Sequence, residues 1–373
     1  MVSFKFGGGR PPRLRSPSGS GSGPQAPPAS STGNRPQAPP AASSGDGRQP
    51  SPPPSSGGRQ APPPPASSGG RRGPPPRRPS LRMETRRVTS FDGTDITYRV
   101  TPPPFEGAKT VVLVNGLGGP YLAWRAQVEY LSDQYRFITW DYRGMYASKR
   151  PSPDVPGAYA VANHVRDLEA ILAAEGIRHG ALMGWSVGVQ VALEAFRRLP
   201  GFAANLVLLN GTYRRPLETI GPLPGLGRLF PPFVAFAARA HTLAARVTRS
   251  TIGPPDAVLW LKRMGLLGKT LDSEAFAELV QPFGRLDMDA LFSNLRALDA
   301  HDAESVLEQI DVPTLLITGD RDAFTPRALA QSMARRIPMA EILVVRGGTH
   351  TTAVEFPELV SLRIERFFAE HGF

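Results

Sequence analysis

From residue 86 onward, short apolar runs alternate with segments of helical periodicity, and this alternation limits the fold more than any other feature. The runs cover residues 110–114, 137–140, 181–185, 206–209, 314–318 and 342–345. Each has the continuous apolar character of a strand buried on both faces. Between the runs, apolar residues recur at helical spacing, as do Trp124, Val128 and Leu131. This order predicts an α/β fold with a mostly parallel sheet flanked by helices.

Two stretches depart from the alternation. The dipeptide Asp92-Gly93, a strong hairpin signal, joins residues 87–90 to residues 96–101, so the sheet is expected to open with an antiparallel pair. Between residues 209 and 314 the chain has helical character and no convincing strand, and it is far longer than an ordinary crossover. We therefore predict an inserted helical cap over about residues 213–305 of a domain that spans 84–373.

Residues 1–83 have a composition that cannot build a core. They consist mainly of Pro, Gly, Ser, Ala and Arg, and they contain 12 basic residues against one acidic residue, Asp46. The whole chain has 43 basic and 32 acidic residues and a net charge of +11, so the entire excess lies in this segment. With so little apolar surface to bury, the segment is predicted to be a disordered extension.

Composition also bears on partners and location. A basic, Pro-rich arm could contact an anionic membrane weakly or a proline-reading domain, although sparse arginines are more often simply solvated, and no specific nucleic acid is predicted. The sequence has neither a secretory signal pattern nor a run of 18 apolar residues, which favours a cytoplasmic protein, peripheral to membranes at most. The absence of cysteine excludes thiolate catalysis and cysteine-ligated metals; no cofactor or metal is predicted.

The first chemical motif is Gly184-Trp185-Ser186-Val187-Gly188, which follows an apolar run and precedes a segment of helical spacing. A sharp turn from strand to helix exposes a serine there, and it requires small residues on either side so that the backbone can approach. The pattern predicts Ser186 as a nucleophile. It also leaves the Val187 N–H free at a helix N-terminus, where it can stabilise a negative oxygen.

A second donor to such an oxyanion is expected from the loop after residues 110–114. That loop reads Asn115-Gly116-Leu117-Gly118-Gly119-Pro120, and its glycines would let it fold tightly against the serine. The sequence predicts the Leu117 N–H as the second donor, while an ordinary glycine-rich turn is the alternative.

A nucleophilic serine needs a base and an acid that orients the base. Of six histidines, five fall in predicted helices or surface connections without a partner pattern: His164, His179, His241, His301 and His371. His350 instead follows the run 342–345 through a short loop, at the strand end where catalytic residues of open α/β sheets collect. Asp320 and Asp322 both follow the run 314–318 and compete for the role of the acid.

Together these motifs resemble the α/β-hydrolase superfamily over residues 84–373, with the chain order Ser186, Asp322, His350. Members with a G-x-x-D-x-x-x-P loop use its aspartate, which matches Gly319, Asp322 and Pro326, so the resemblance favours Asp322 over Asp320. Two positions depart from the family pattern. Asn115 stands where the family often has His, and Tyr146 where it often has Gly.

The resemblance implies hydrolysis through an acyl-enzyme, because related enzymes that attack halides or epoxides carry aspartate where this chain has Ser186. A carboxylic ester with an apolar or lipid-like acyl group is favoured, since residues 221–249 are rich in Leu, Phe, Ala and Pro and could form an apolar lid. Helices that pack their own apolar sides onto the domain are the alternative for this segment. Carbon–carbon bond hydrolysis, lactone hydrolysis and aminopeptidase activity remain open within the fold. A non-catalytic scaffold with a Pro-rich recruiting arm is the alternative of another class.

Overall fold

The computed structural model describes residues 83–219, 282 and 285–373. Its described part contains one eight-stranded sheet in the order β1-β2-β4-β3-β5-β6-β7-β8. The strands are β1 (Glu84–Thr89), β2 (Asp95–Val100), β3 (Thr110–Val114), β4 (Arg136–Trp140), β5 (Gly180–Trp185), β6 (Ala203–Leu209), β7 (Thr314–Gly319) and β8 (Ala340–Val345). β1 pairs antiparallel with β2 and β2 with β4, while all other neighbours are parallel. The predicted fold class and the antiparallel opening pair are confirmed.

Helices cover both faces of this sheet. The described α-helices are α1 (Arg125–Leu131), α2 (Val161–Ala174), α3 (Gly188–Arg198), α4 (Pro216–Thr219), α5 (Met288–Ala300), α6 (Arg327–Arg336), α7 (Thr352–Glu355) and α8 (Pro357–Glu370). Short 3-10 helices occur at Tyr121–Trp124, Pro156–Tyr159 and Glu304–Gln309. One apolar core includes side chains of α2, α3, α5 and α6, and a second core, on the opposite face, includes side chains of α1 and α8.

The alternation of side chains along each strand creates these two cores. In β3, for example, Val112 and Val114 belong to the first core, whereas Val111 and Leu113 belong to the second. All five residues of β3 are buried, because the strand has a neighbour on each side and helices on each face. Its C-terminal end and that of β5 therefore point at the same edge of the sheet, where the loops of interest begin.

One predicted strand environment is wrong. Residues 342–345 were expected to be buried on both faces, but β8 is the last strand of the sheet, and Ile342 and Val344 are 40% and 37% exposed. The continuous apolar run indicates a strand correctly, yet it does not tell a central strand from an edge strand that has one neighbour.

The disordered extension predicted over residues 1–83 lies outside the described residues apart from Met83, and so does most of the predicted cap. The described ends of that insertion are 213–219 and 285–305, and they carry α4, α5 and the start of a 3-10 helix. They contain no strand longer than an isolated bridge between Arg214 and Asp302. Within the described ranges, no helix has both the length and the apolar character needed to cross a lipid bilayer.

Candidate active site

Ser186 lies in the sharp turn between β5 and α3. Its φ is +59°, a left-handed conformation that costs a non-glycine residue on the order of 1–3 kcal/mol. The turn also needs its flanking glycines, because a Cβ built on Gly184 would lie 2.8 Å from the carbonyl oxygen of Gly188. The Ser186 N–H donates to the Leu209 carbonyl oxygen at 3.0 Å, which ties the turn to the end of β6. The predicted strand–turn–helix context is present.

The structure brings the three side chains predicted from separate motifs into one line. His350 Nε2 lies 2.8 Å from Ser186 Oγ, and His350 Nδ1 lies 3.0 Å from Asp322 Oδ2. A proton on Nδ1, donated to the carboxylate, leaves Nε2 with a lone pair that accepts the serine hydroxyl. In this tautomer the imidazole is oriented to remove the Ser186 proton.

Asp322 is almost fully enclosed and its carboxylate accepts several hydrogen bonds. The N–H groups of Phe324 and Thr325 donate to Oδ1 at 2.8 and 2.9 Å, and the Thr325 hydroxyl donates to Oδ2 at 2.7 Å. Burial alone raises the pKa of Asp322, but the facing His350 and the Thr325 donors outweigh it, so the pKa falls below 3.8. The carboxylate is therefore held ionised beside the imidazole.

Asp320, the competing acid, does not reach His350. It is exposed, and its Oδ1 instead accepts the Gly347 N–H at 2.7 Å. The other described histidines have partners away from the site: His179 contacts the Gly201 carbonyl, His301 contacts Glu194, and His371 contacts Glu341. His164 is buried near Asp167, and His241 lies outside the described residues.

The two predicted oxyanion donors, Val187 and Leu117, both lie near Ser186. Val187 is the N-cap of α3, so its N–H precedes the hydrogen bonds of the helix. Leu117 lies in the loop after β3, where a Cβ on the preceding Gly116 would be only 3.3 Å from Ser186 Cβ. Among the described residues, neither amide donates to a protein acceptor.

Two residues that sequence reasoning did not single out complete the site. Asn210, at the end of β6, donates from Nδ2 to Asp322 Oδ2 at 2.8 Å and to the Thr349 carbonyl at 3.1 Å. Trp185 donates from its indole N–H to the His350 carbonyl at 3.0 Å, and a Cβ on Gly119 would lie 2.7 Å from its ring. Asn210 follows an apolar run at the strand's C-terminal end, and that position was the available signal.

Asn115, the first departure from the family pattern, is fully engaged below the site. Its Nδ2 donates to the Trp140 carbonyl at 2.8 Å and its Oδ1 accepts the Trp124 indole N–H at 2.9 Å. It therefore anchors the start of the Leu117 loop to β4 although it is not a histidine.

In the described part of the chain, no group of three or more His, Cys, Asp or Glu side chains could hold a metal ion.

Comparisons with known proteins agree with this architecture. The family model described as alpha/beta hydrolase fold matches residues 109–357. RutD of Caulobacter segnis, a protein named for carbamate hydrolysis, is 26% identical over 276 residues, covering 73% of this chain and 96% of the relative.

Solved structures share the fold at lower identity. An esterase from Exiguobacterium antarcticum has a TM-score of 0.61 at 18% identity, covering 76% of this chain and 99% of that one. An enol-lactonase from Burkholderia xenovorans LB400 has a TM-score of 0.61 at 23% identity, covering 76% and 100%. The family model covers residues 109–357, and the strand order and the sharp turn at Ser186 agree with it. The chain therefore belongs to the α/β hydrolase fold family.

Proposed function

We propose that this chain is a serine hydrolase that cleaves carboxylic esters through an acyl-enzyme on Ser186. The observation that carries the proposal is the continuous line from Ser186 Oγ through His350 to Asp322, with contacts of 2.8 and 3.0 Å. Such a line supplies what a serine lacks by itself, a base positioned to take its proton and an anion that fixes the base.

In this mechanism His350 Nε2 accepts the hydroxyl proton while Ser186 Oγ attacks the ester carbonyl carbon. The carbonyl oxygen becomes an oxyanion, which the Val187 and Leu117 N–H groups stabilise. His350 then returns the proton to the departing alcohol, leaving an acyl group on Ser186. A water molecule activated by the same imidazole hydrolyses that acyl group, and Asp322 stays ionised throughout.

Two observations bear on the acyl group of the substrate. The Leu- and Phe-rich sequence of residues 221–249 favours an apolar acyl chain, although those residues lie outside the described ranges. A carbamate is a second candidate, favoured by the similarity to RutD over 73% of this chain. Ser186, His350 and Asp322 could cleave an ester or a carbamate by the same steps. The two candidates therefore differ in the substrate and not in the catalytic residues. Lactones, carbon–carbon bonds and peptides are the further candidates within the fold.

The test combines covalent labelling with turnover. We expect a fluorophosphonate probe to label wild type but not Ser186→Ala, and turnover of p-nitrophenyl esters to fall about 10⁶-fold in Ser186→Ala and His350→Ala. Asp322→Asn should lose about 10⁴-fold, because it disturbs the tautomer and not the nucleophile. Turnover of p-nitrophenyl acetate, butyrate, octanoate and N-methylcarbamate would then rank the acyl groups.

Matched substitutions away from the site provide the controls. Ser361→Ala removes a buried hydroxyl on α8, and His179→Ala removes an exposed imidazole, so both should label and turn over as wild type does. If wild type neither labels nor hydrolyses any of these substrates, the proposed chemistry is wrong and the non-catalytic scaffold becomes the better description.

A further inference from the structure

The loop that carries the Leu117 amide is a tight turn. The Gly119 N–H donates to the Gly116 carbonyl at 3.0 Å, and Gly118, at the third position of the turn, has a φ of +67°. Leu117 is the second residue of this turn, so its own N–H is not used to close it. Its three glycines provide no side chains, so within residues 116–119 only the partly buried Leu117 side chain packs against the first core.

Further anchors, besides Asn115, come from a different loop, residues 141–148 after β4. The Tyr142 hydroxyl donates to the Asn115 carbonyl oxygen at 2.7 Å, and the Tyr146 hydroxyl donates to the Gly118 carbonyl oxygen. These two carbonyl groups lie on either side of Leu117 in the chain. Two hydroxyl groups four residues apart therefore hold carbonyl groups on either side of the peptide unit that carries the Leu117 N–H.

Residues 141–148 are themselves well fixed. Tyr142 is 3% exposed, and the Met145 N–H donates to its carbonyl at 2.8 Å. At the two ends of the loop, Asp141 pairs with Arg99 at 2.8 Å, and the Ser148 hydroxyl donates to the Asp141 carbonyl at 2.7 Å. Because these contacts restrict the movement of residues 141–148, the two tyrosine hydroxyls can in turn restrict the movement of residues 116–119.

Tyr146 is retained in a conformation that suits glycine. Its φ is +47°, in the left-handed region that favours glycine. A strained residue persists where its surroundings hold it and where its side chain contributes something that glycine could not. For Tyr146 that contribution is the hydroxyl on Gly118. Burial, followed by the nearby Asp141, raises the pKa of Tyr146, and burial raises that of Tyr142, so both hydroxyls stay neutral donors.

We infer that Tyr142 and Tyr146 are positioning residues that hold the Leu117 amide in place for the oxyanion, an assignment that rests on the proposed function. Neither hydroxyl contacts the reacting atoms. Each acts through a carbonyl group of the turn, and losing either would let the Leu117 N–H move away from the oxygen it stabilises.

The experiment compares Tyr142→Phe and Tyr146→Phe with wild type. Each variant deletes one neutral hydrogen bond and keeps the ring, so we expect kcat on a p-nitrophenyl ester to fall about fivefold to tenfold while KM changes less than about twofold. The affinity for a trifluoromethyl ketone, which forms a tetrahedral oxyanion on the serine, should fall by the same factor as kcat. Amide hydrogen exchange in a peptide covering residues 115–120 should become faster.

Tyr159→Phe is the matched control. It removes a tyrosine hydroxyl that donates to Asp154 at 2.7 Å, on a ring that is 1% exposed, and it should lower the thermal midpoint without changing kcat or the exchange of residues 115–120. The assignment would be overturned if amide hydrogen exchange in residues 115–120 were as slow in Tyr142→Phe and Tyr146→Phe as in wild type. A raised KM with unchanged kcat would also overturn it. If wild-type protein shows no turnover at all, the proposed function fails, and the exchange comparison alone decides whether the two hydroxyls hold the turn.

Discussion

At the scale of single residues, Asn210 links the two loops that carry the acid and the base. Its amide nitrogen donates both to Asp322 and to the carbonyl of Thr349, the residue before His350. Asn210 is buried, and its backbone has a φ of +41°, in the left-handed region. A hydrogen bond to an ionised group contributes on the order of 1.5–3 kcal/mol, so this amide has a measurable share in orienting the carboxylate.

We predict that Asn210→Ala lowers kcat/KM on p-nitrophenyl butyrate by about tenfold or more, because Asp322 loses a donor and the histidine loop loses its tie. Asn205→Ala is the matched control. It removes a buried amide from the opposite end of β6, so it should lower stability and leave kcat/KM unchanged. Steady-state kinetics and thermal unfolding of both variants check this, and equal kinetic losses would refute a specific role for Asn210.

Sequence reasoning finds residues with strong chemistry at strand ends. Ser186, Asp322 and His350 each follow a predicted strand, and the structure brings these three together. The choice between Asp320 and Asp322 required the resemblance, since both follow β7 within three residues. Asn210 was missed because an amide has no catalytic motif, and its importance depends on two loops that are distant in sequence.

At the scale of elements, the two edges of the sheet differ in how they face solvent. β1 at one edge reads Glu-Thr-Arg-Arg-Val-Thr and presents charged, exposed side chains. Among the residues that the structure describes, β8 is the last strand at the other edge, and its Ile342 and Val344 are partly exposed. Charged residues on an edge strand hinder pairing with other chains, whereas an apolar edge invites it.

We predict that Val344→Lys raises the temperature at which the protein begins to aggregate, because a charge on the open edge opposes strand-to-strand pairing. Ester turnover is measured alongside, because Val344 lies on the strand that leads to His350, and turnover at the wild-type value would show that this loop is unchanged. Light scattering and circular dichroism during one heating ramp separate aggregation from unfolding. The corresponding change on β1, Thr85→Lys, adds charge to an edge that is already charged and should have little effect.

Element prediction succeeds where an apolar run is long enough to be distinctive. All six predicted apolar runs are strands, and their observed bounds extend by at most three residues, as at β6. The predicted burial of β8 was wrong because burial depends on the number of neighbouring strands, and an apolar run does not indicate that number. The helical cap stays a prediction over residues 220–281, which lie outside the described ranges.

At the scale of the whole molecule, one buried polar cluster joins distant parts of the chain. Arg143 pairs with Asp167 of α2 at 2.6 Å and with Asp92 of the first hairpin, and the Asn294 amide of α5 donates to the Arg143 carbonyl at 2.9 Å. His164 is fully buried beside this cluster, with its ring 4.6 Å from that of Tyr142. Burial, followed by repulsion from Arg143, lowers the pKa of His164 to about 3.

This histidine should make stability depend on pH. In the unfolded chain it binds a proton near pH 6.5, whereas in the folded protein it does so only near 3. Its contribution is therefore complete above pH 6.5 and is lost as the pH falls towards 3, with a slope of at most about 1.4 kcal/mol per pH unit. We predict that the free energy of unfolding of wild type falls by about 2 kcal/mol more than that of His164→Leu between pH 7 and pH 5.

Urea unfolding at the two pH values measures this difference. His164→Gln is the second variant, which keeps the predicted effect testable if leucine is not tolerated beside Arg143. Parallel pH dependence of wild type and variants would show that His164 is not the group responsible.

The distance along the chain between Ser186 and His350 has a consequence for protein synthesis. The two residues are 164 positions apart, and Asp322 also follows the serine. The ribosome therefore synthesises Ser186 and the two oxyanion amides, those of Leu117 and Val187, well before it adds Asp322 and His350. Under the proposed chemistry a nascent chain carries an inert hydroxyl, and hydrolysis begins only once β7 and β8 have been made and have joined the sheet.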